Sequence, residues 1–426
     1  MITSFEIKNF KSIDDIDLGL GRLNVFIGEN GAGKSNVLEA IALAGAASAG
    51  KLDHEFLSSR GIRVTEPYLM KSAFDEGGAS LPVIINAASS SGGEVLYKLS
   101  NEGEAYSAWK SSLNIKSKKD DVLSDILDLE DSSEGAIFLS VFKSYLASDK
   151  ITEEQRSVAL SKLVKGVKKI EKNKKEDPSS KISVDLDDSN PITEFYVNRR
   201  ETLQDVRKSL SDFIIFSPEN SALRDQKREG QILPLGINGE GLFKLLGVEI
   251  GARGKEYLAA LNDFLSVFGW FEKIIVGDDS TKDLEISDRF ICDKSNRQEV
   301  QGANEGFLFL LFYFALFSSE LTPRFFAIDN IDASLNPKLC RRLVEELGRL
   351  AKKHNKQVLL TTHNPAVLDG LDLDDDEQRL IIVSRDFEGH TKIRRVKKPK
   401  TMDGAPFLRL SEAFMRGSLG GLPKGF

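Results

Sequence analysis

Eight consecutive residues, Gly28-Glu29-Asn30-Gly31-Ala32-Gly33-Lys34-Ser35, carry the types and spacing needed to wrap a chain of phosphates. Gly28, Gly31 and Gly33 let backbone amides turn inward with no Cβ in the way, and Lys34 can reach the β- and γ-phosphates. Ser35 supplies a hydroxyl of the kind such sites place on Mg²⁺. Asn30 and Asn36, inside and just after the loop, join the candidate nucleotide-binding set. The plain alternative is a glycine-rich turn. Against it stand the apolar run Leu23 to Ile27 in front and the helix-like Asn36-Val37-Leu38-Glu39-Ala40-Ile41-Ala42 behind, whose N-terminal end would face the anion.

Two further candidates close apolar runs far along the chain. Asp329 follows Phe325-Phe326-Ala327-Ile328. It is expected at the carboxyl end of a buried strand beside the loop, where it can hold Mg²⁺ through water, the Walker B role. Ser35 and Asp329 are then the metal set; the alternative is an ordinary turn aspartate. His363 follows Val358 to Thr362 and precedes Asn364-Pro365, and it is one of only four histidines. Its expected role is to touch the γ-phosphate and report that ATP is present, the alternative being a cap on the next helix.

These groups need a scaffold that brings strand ends together. The short continuous runs Phe213-Ile214-Ile215-Phe216, Phe325 to Ile328, Val358-Leu359-Leu360 and Leu380-Ile381-Ile382-Val383 predict a largely parallel sheet buried on both faces. Leu81 to Ile85 is a further apolar run, and Met1 to Ile7 starts a strand rather than a signal peptide. Leu339, Leu343, Leu347 and Leu350 form one stripe of a helix that Asn336 caps and Pro337 begins. Gly306 to Phe317 is almost wholly apolar but only about twelve residues long, short of the roughly 20 needed to cross a bilayer, so it reads as a buried core helix. Charge rises over residues 111–209, with acidic Asp120 to Asp131 and lysine-rich Lys162 to Lys175; this predicts an inserted helical arm between head segments 1–110 and 210–426. The lysine run reads as a solvated face in preference to a nucleic-acid contact.

Together these segments resemble the ABC-type ATPases of the RecF, overcoming-lysogenisation-defect (OLD) and structural-maintenance-of-chromosomes (SMC) group. The match rests, in order and spacing, on Ile7-Lys8-Asn9-Phe10-Lys11-Ser12, the GENGAGKS loop, IDNIDASLNP from Ile328 to Pro337 and TTHNP from Thr361 to Pro365. Phe216-Ser217-Pro218-Glu219-Asn220 with Leu223-Arg224 looks like a segment of smaller members found in bacterial anti-phage defence. The resemblance implies an α/β P-loop head, ATP and Mg²⁺ as ligands, and head-to-tail dimers in which each phosphate loop faces the partner's signature. That signature falls at Asn304-Glu305-Gly306, with Asn304 where the family has serine. Asn330 stands where the family carries the glutamate that polarises water, which puts fast hydrolysis in doubt; Asp332 is the acid expected to take over. Arg224 is a candidate basic group near the nucleotide or the dimer seam, the alternative being a surface arginine. No glutamine loop is assigned.

Composition bounds the rest. With 426 residues, 41% hydrophobic, 29% charged and a net charge of −7, the chain is expected to be soluble and not to coat nucleic acid along its whole surface. Two cysteines, Cys292 and Cys340, exclude a disulfide framework and fit a cytoplasmic protein. Only about sixty residues follow His363, so the metal-dependent nuclease domain of OLD nucleases is not expected. Leu371 to Asp376 reads as a solvated acidic loop, and Lys392 to Lys400 as an edge strand, with a phosphate-backbone contact as the alternative. The glycine-rich Phe414 to Pro423 docks a partner or lies against the head. The leading expectation is a slowly hydrolysing, dimerising ATPase that gates a separate effector, a toxin or nuclease, in anti-phage defence. A RecF-like DNA-binding repair ATPase and a hydrolysis-deficient nucleotide-dependent scaffold are the alternatives.

Overall fold

The apolar runs assemble, in a computed structural model of the protein, into three sheets. The structure describes residues 1–74, 80–101, 108–114, 152, 203–225, 230–277, 284–291, 298–397 and 409–421. The chain opens with the antiparallel pair β1 (Ile2–Phe10) and β2 (Ile13–Gly19), then crosses into β3 (Leu23–Ile27), the phosphate loop and α1 (Lys34–Ser48). A short α2 (His54–Ser59) follows. Next, β4 (Val83–Ser89), β5 (Glu94–Ser100) and β6 (Lys110–Asn114) return to β1, giving a five-stranded antiparallel sheet in the order β2-β1-β4-β5-β6.

The second half supplies β7 (Ile215–Phe216), α3 (Asn220–Arg224) and the long α4 (Leu242–Leu265). A small antiparallel sheet follows, made of β8 (Phe271–Val276), β9 (Leu284–Asp288) and β10 (Gln298–Glu299). Then come α5 (Glu305–Ser318), β11 (Phe325–Ile328), α6 (Pro337–Lys353), β12 (Gln357–Thr362), β13 (Gln378–Arg385), β14 (Thr391–Val396) and α7 (Leu410–Met415). The central sheet runs β14-β13-β3-β12-β11-β7. All its pairings are parallel except β13 with β14, so β14 is an edge strand, as expected over Lys392 to Lys400, but it ends at Val396, and residues 398–400 lie outside the described residues.

Continuous apolar strands follow from burial on both faces. On β3, Leu23, Val25 and Ile27 enter a core shared with α4, α5 and α6, whereas Phe26 enters a second core with α1 and the antiparallel sheet. The same alternation divides Phe326 and Ile328 from Phe325 and Ala327, and Leu380 and Ile382 from Ile381 and Val383. Successive Cβ atoms point to opposite faces, and here both faces are covered. The sheet is thus largely parallel, as expected, but it is one of three among the described residues.

α5 lies inside the first core and is buried from Phe307 to Ser318. Among the described residues no helix is long and apolar enough to cross a membrane. α6 has the expected form: Asn336 Oδ1 accepts from Leu339 N at 2.9 Å, and Leu339, Leu343 and Leu347 are buried. The run Phe213 to Phe216 forms a strand only at Ile215–Phe216, although all four side chains are buried. Of the expected arm, residues 115–151 and 153–202 lie outside the described residues, and with them both charge runs. At its ends, residues 111–114 continue β6 beside β5, and Leu203 and Val206 are buried in the core around α1, where Ser48 Oγ donates to Arg207 O at 2.9 Å.

Candidate functional site

β3 delivers the phosphate loop, and tight packing dictates its glycines. A Cβ on Gly28 would lie 2.0 Å from Val383 O on β13. Gly33 has φ 108° and a Cβ there would lie 2.1 Å from Thr391 Oγ1, so both conformation and space demand glycine. Gly31, at φ 77°, needs the left-handed region alone. α1 begins at Lys34, two residues earlier than the sequence suggested, which puts Lys34 and Ser35 in its first turn. Asn30 is exposed at the loop tip.

Lys34 is buried, and its Nζ donates to Gly28 O at 2.9 Å and Glu29 O at 3.0 Å while approaching His363 Nδ1 at 3.4 Å. Burial pushes the ammonium down to about 8, against the opposing pull of Asp329, Asp332 and Glu29. Ser35 Oγ donates to Asp329 Oδ2 at 3.1 Å, and Thr361 Oγ1 donates to Asp329 Oδ1. A hydroxyl beside a carboxylate is a hard oxygen pair, which suits Mg²⁺. Parallel pairing sets this meeting: β11 and β3 both flank β12, so Asp329, His363 and the loop all leave carboxyl ends of neighbouring strands.

Thr362 Oγ1 donates to Asp332 Oδ1 at 2.6 Å, keeping that carboxylate beside His363. Burial, then the Lys34 charge, hold the His363 imidazole below its ordinary value, with Asp332 and Asp329 working the other way. Asn330 has φ 57°, and its N–H donates to Thr361 Oγ1 at 2.9 Å. Asparagine is among the few side chains at ease in the left-handed region.

The family described as "AAA domain, putative AbiEii toxin, Type IV TA system" matches residues 23–369. The chain belongs to this AAA family. Its matched family, together with an OLD-like stretch and an SMC-head-like fold, supports a relationship to the ABC/AAA-type ATPases of the RecF/OLD/SMC group. An OLD nuclease of Thermus scotoductus is 49% identical over 43 residues, which are 10% of this chain and 8% of that relative's length. The SMC head bound to the C-winged helix domain of ScpA is similar in fold at 12% identity, with 93% of this chain and 98% of that one covered and a TM-score of 0.52. An SMC head domain from Thermotoga maritima is 16% identical over 93% of this chain and 99% of that one, with a TM-score of 0.45.

Residues 304–306, where the sequence leads one to expect the signature, contact the start of α5 and residues 334–335. Asn304 caps α5 through Oδ1, accepting from Phe307 N at 3.0 Å. Glu305 accepts from Ser334 Oγ, and a Cβ on Gly306 would meet Leu335 Cδ2 at 3.4 Å. Arg224 is beside this segment, with its guanidinium engaged by Gln301 O, Ala303 O and Asn220 Oδ1, so it is neither a free surface arginine nor turned toward the chain's own phosphate loop. Asn36 is engaged by its own chain behind the loop, donating to Ser12 Oγ at 2.7 Å and accepting from Arg63 at 3.4 Å.

Sequence reasoning missed the hairpin β13–β14 as a clamp on the loop. Thr391 Oγ1 donates to Ala32 O at 2.9 Å and meets Ser12 Oγ at 2.7 Å, while Arg385 Nε donates to Gly31 O at 2.8 Å. Buried Glu39, between Lys11 and Arg63, was missed too. Ser12 and Lys11 lie in the quoted Ile7–Ser12 segment, which was the one available signal; Thr391 and Arg385 had none.

Within the described part of the basic edge strand, three cations are engaged by the chain itself. Arg394 donates to Leu419 O, Arg395 pairs with Asp376 at 2.7 Å, and Lys392 approaches Asp386 at 3.6 Å. Lys392 thereby supplies a cation at Asp386-Glu388-His390, the group of ligand-type side chains that gathers within 4.8 Å among the described residues. Of the acids in 371–376, Asp372 and Asp375 serve local turns, accepting from Asp374 N at 3.0 Å and Glu377 N at 2.9 Å. The glycine-rich C-terminal segment lies against the head: Leu419 and Phe414 are buried, and Gly421 packs over Gly28 and Ile382.

Proposed function

We propose that this chain is a Mg-ATP-dependent switch that dimerises head-to-tail, hydrolyses ATP slowly and passes its state to a separate effector protein in bacterial anti-phage defence. The carrying observation is the meeting of Lys34, Ser35, Asp329 and His363, from three segments of the chain, in one place. Bound Mg-ATP supplies a terminal phosphoryl group that can pass to water through a transition state stabilised by position and charge. Lys34 neutralises the phosphates, Ser35 and Asp329 hold the metal, and His363 senses the terminal phosphate. Asn304 and Gly306 of a second copy complete the site, with the start of α5 offering amides to the anion.

Slow turnover follows from Asn330, which can orient water but cannot accept its proton. Asp332, held by Thr362, is the nearest carboxylate able to assist. Toxin–antitoxin systems in the family description and the OLD-like stretch support a place in defence, with the damaging activity carried by another protein in the same cytoplasm.

Calorimetric titration with Mg-ATP tests the reading. Lys34→Ala is expected to weaken binding about 10- to 100-fold, the worth of one or two charge-assisted hydrogen bonds. Asp332→Ala is expected to bind normally and turn over at least about tenfold more slowly. Wild-type protein that takes up no Mg-ATP sinks the proposal; binding without turnover makes the chain a nucleotide-dependent scaffold. Steeply salt-dependent DNA affinity that ATP strengthens would transfer the chain to RecF-like repair.

A further inference from the structure

The loop that leads into Asn304 is held by one side chain from another part of the fold. Arg224, the last residue of α3, donates from Nη1 to Gln301 O at 2.6 Å and from Nη2 to Ala303 O at 2.8 Å. Its Nε donates to Asn220 Oδ1 at 2.9 Å, which fixes the guanidinium plane from its own helix. A planar fork with three engaged donors sets direction as well as distance, which a single ammonium cannot do. The two carbonyls bracket the residues immediately before Asn304, whose side chain caps α5.

The other end of this strut reaches the metal-site strand. Phe216 ends β7 opposite Ile328, and its carbonyl accepts from Asp329 N at 2.9 Å. Three residues then lead to α3, and they are pinned: Ser217 N donates to Ile237 O and Glu219 N to Asn238 O, both at 2.8 Å. Leu223, next to Arg224, is fully buried against Gly239, where a Cβ would approach Leu223 Cδ2 to 2.4 Å. From Asp329 to Ala303 the path is therefore continuous and each step is hydrogen-bonded or packed.

We propose that Arg224 is a positioning residue: it presents the N-terminus of α5 to nucleotide held by a second copy of this chain, and it links that presentation to Asp329 of its own copy. Arg224 itself touches no nucleotide. The inference rests on the head-to-tail reading above and adds the element that aims the signature. It requires Arg224 to matter in trans, to the site whose phosphate loop belongs to the other chain.

Paired variants read this directly through Mg-ATP-dependent association of two differently labelled chains. Arg224→Ala mixed with Lys34→Ala leaves one complete site, because the intact loop of the first chain faces the intact Arg224 of the second. The double variant Lys34→Ala/Arg224→Ala mixed with wild type carries the same two changes, yet its one intact loop faces a disturbed signature. The first mixture is expected to associate at least about tenfold more tightly than the second, the worth of one lost charge-assisted hydrogen bond. Equal association of the two mixtures overturns the proposal. Arg224→Ala alone is expected to bind Mg-ATP as wild type does; should it not fold, Asn220→Ala, which removes only the partner of Nε, is expected to give the same order with smaller amplitude. If wild-type chains do not associate with Mg-ATP, the head-to-tail reading falls, and the anchor is judged by amide hydrogen exchange in the single head. Faster exchange at residues 300–308 in Arg224→Ala, with residues 28–36 unchanged, supports it, and unchanged exchange at 300–308 overturns it.

Discussion

Lys34 is a cation held where burial does not favour one. Burial lowers it to about 8, and its partners in the head are two carbonyls and an imidazole nitrogen. Because the folded value lies below the ordinary 10.5, the folded state binds fewer protons than the unfolded chain between about pH 8 and 10.5, and this lysine's contribution to stability rises across that window. Lys34→Met is therefore expected to lose stability relative to wild type as pH rises from about 8 to 10.5, while weakening Mg-ATP binding as Lys34→Ala does; a melting-temperature difference that stays constant across that window would contradict this. A triphosphate restores the charge, so binding at about pH 9 should take up a proton. Calorimetry in two buffers of different ionisation enthalpy measures that uptake, and Lys34→Met should remove it. At Asn330 the left-handed backbone and the missing carboxylate meet in one residue. Asn330→Glu should lower stability by about 1 kcal/mol and raise turnover about tenfold or more. A variant with unaltered turnover would show that Asp332 has already assumed the role.

At the scale of elements, the hairpin β13–β14 governs the phosphate loop from behind. Thr391 is fully buried and its hydroxyl is shared between Ala32 O and Ser12. Thr391→Val keeps the shape and removes both contacts, so it is expected to cost about 1–2 kcal/mol in chemical denaturation and to weaken Mg-ATP binding without touching the ligand. Binding at wild-type strength would show that the loop holds its form without the hairpin. At α6 the cap was readable in advance, and Asn336→Ala should cost about 1 kcal/mol through the orphaned Leu339 amide. The contrast is physical. A cap and its amide are three residues apart and leave a local signature, whereas Thr391 and Ala32 are joined by sheet pairing over most of the chain.

For the molecule as a whole, the two halves are fastened by buried polar groups as well as by the two cores. Lys356 is 2% exposed, and its ammonium donates to Ser319 O at 2.7 Å, Thr322 O at 2.9 Å, Thr322 Oγ1 at 2.8 Å and Pro323 O at 3.2 Å. It thereby closes the connection between α5 and β11, the strand that leads into Asp329. Lys356→Met strands these acceptors and is expected to destabilise the head by about 2–4 kcal/mol in chemical denaturation. A change below about 0.5 kcal/mol, the usual size for surface sites, would show that water replaces the ammonium there. Gln357 works at the same seam, bonding Ile2 N, Ile2 O and Gly21 O through its side-chain amide, and so ties the first strand to the start of β12.

The parts of the candidate site were legible in the sequence because each of them is local. Glycines at Gly28, Gly31 and Gly33, a lysine and a hydroxyl at a helix start, and polar residues closing the apolar runs before Asp329 and His363 all depend on neighbours within a few positions. The same holds for the buried α5 and the capped α6. Tertiary structure alone decided that Asn36 turns to Ser12, that Arg224 grips the carbonyls ahead of Asn304, and that the basic strand after Thr391 is answered by Asp376, Asp386 and Leu419 O. Those outcomes depend on which distant strand lies beside which. Hydrophobic periodicity fixes the face a side chain occupies but carries no record of its partner across the sheet.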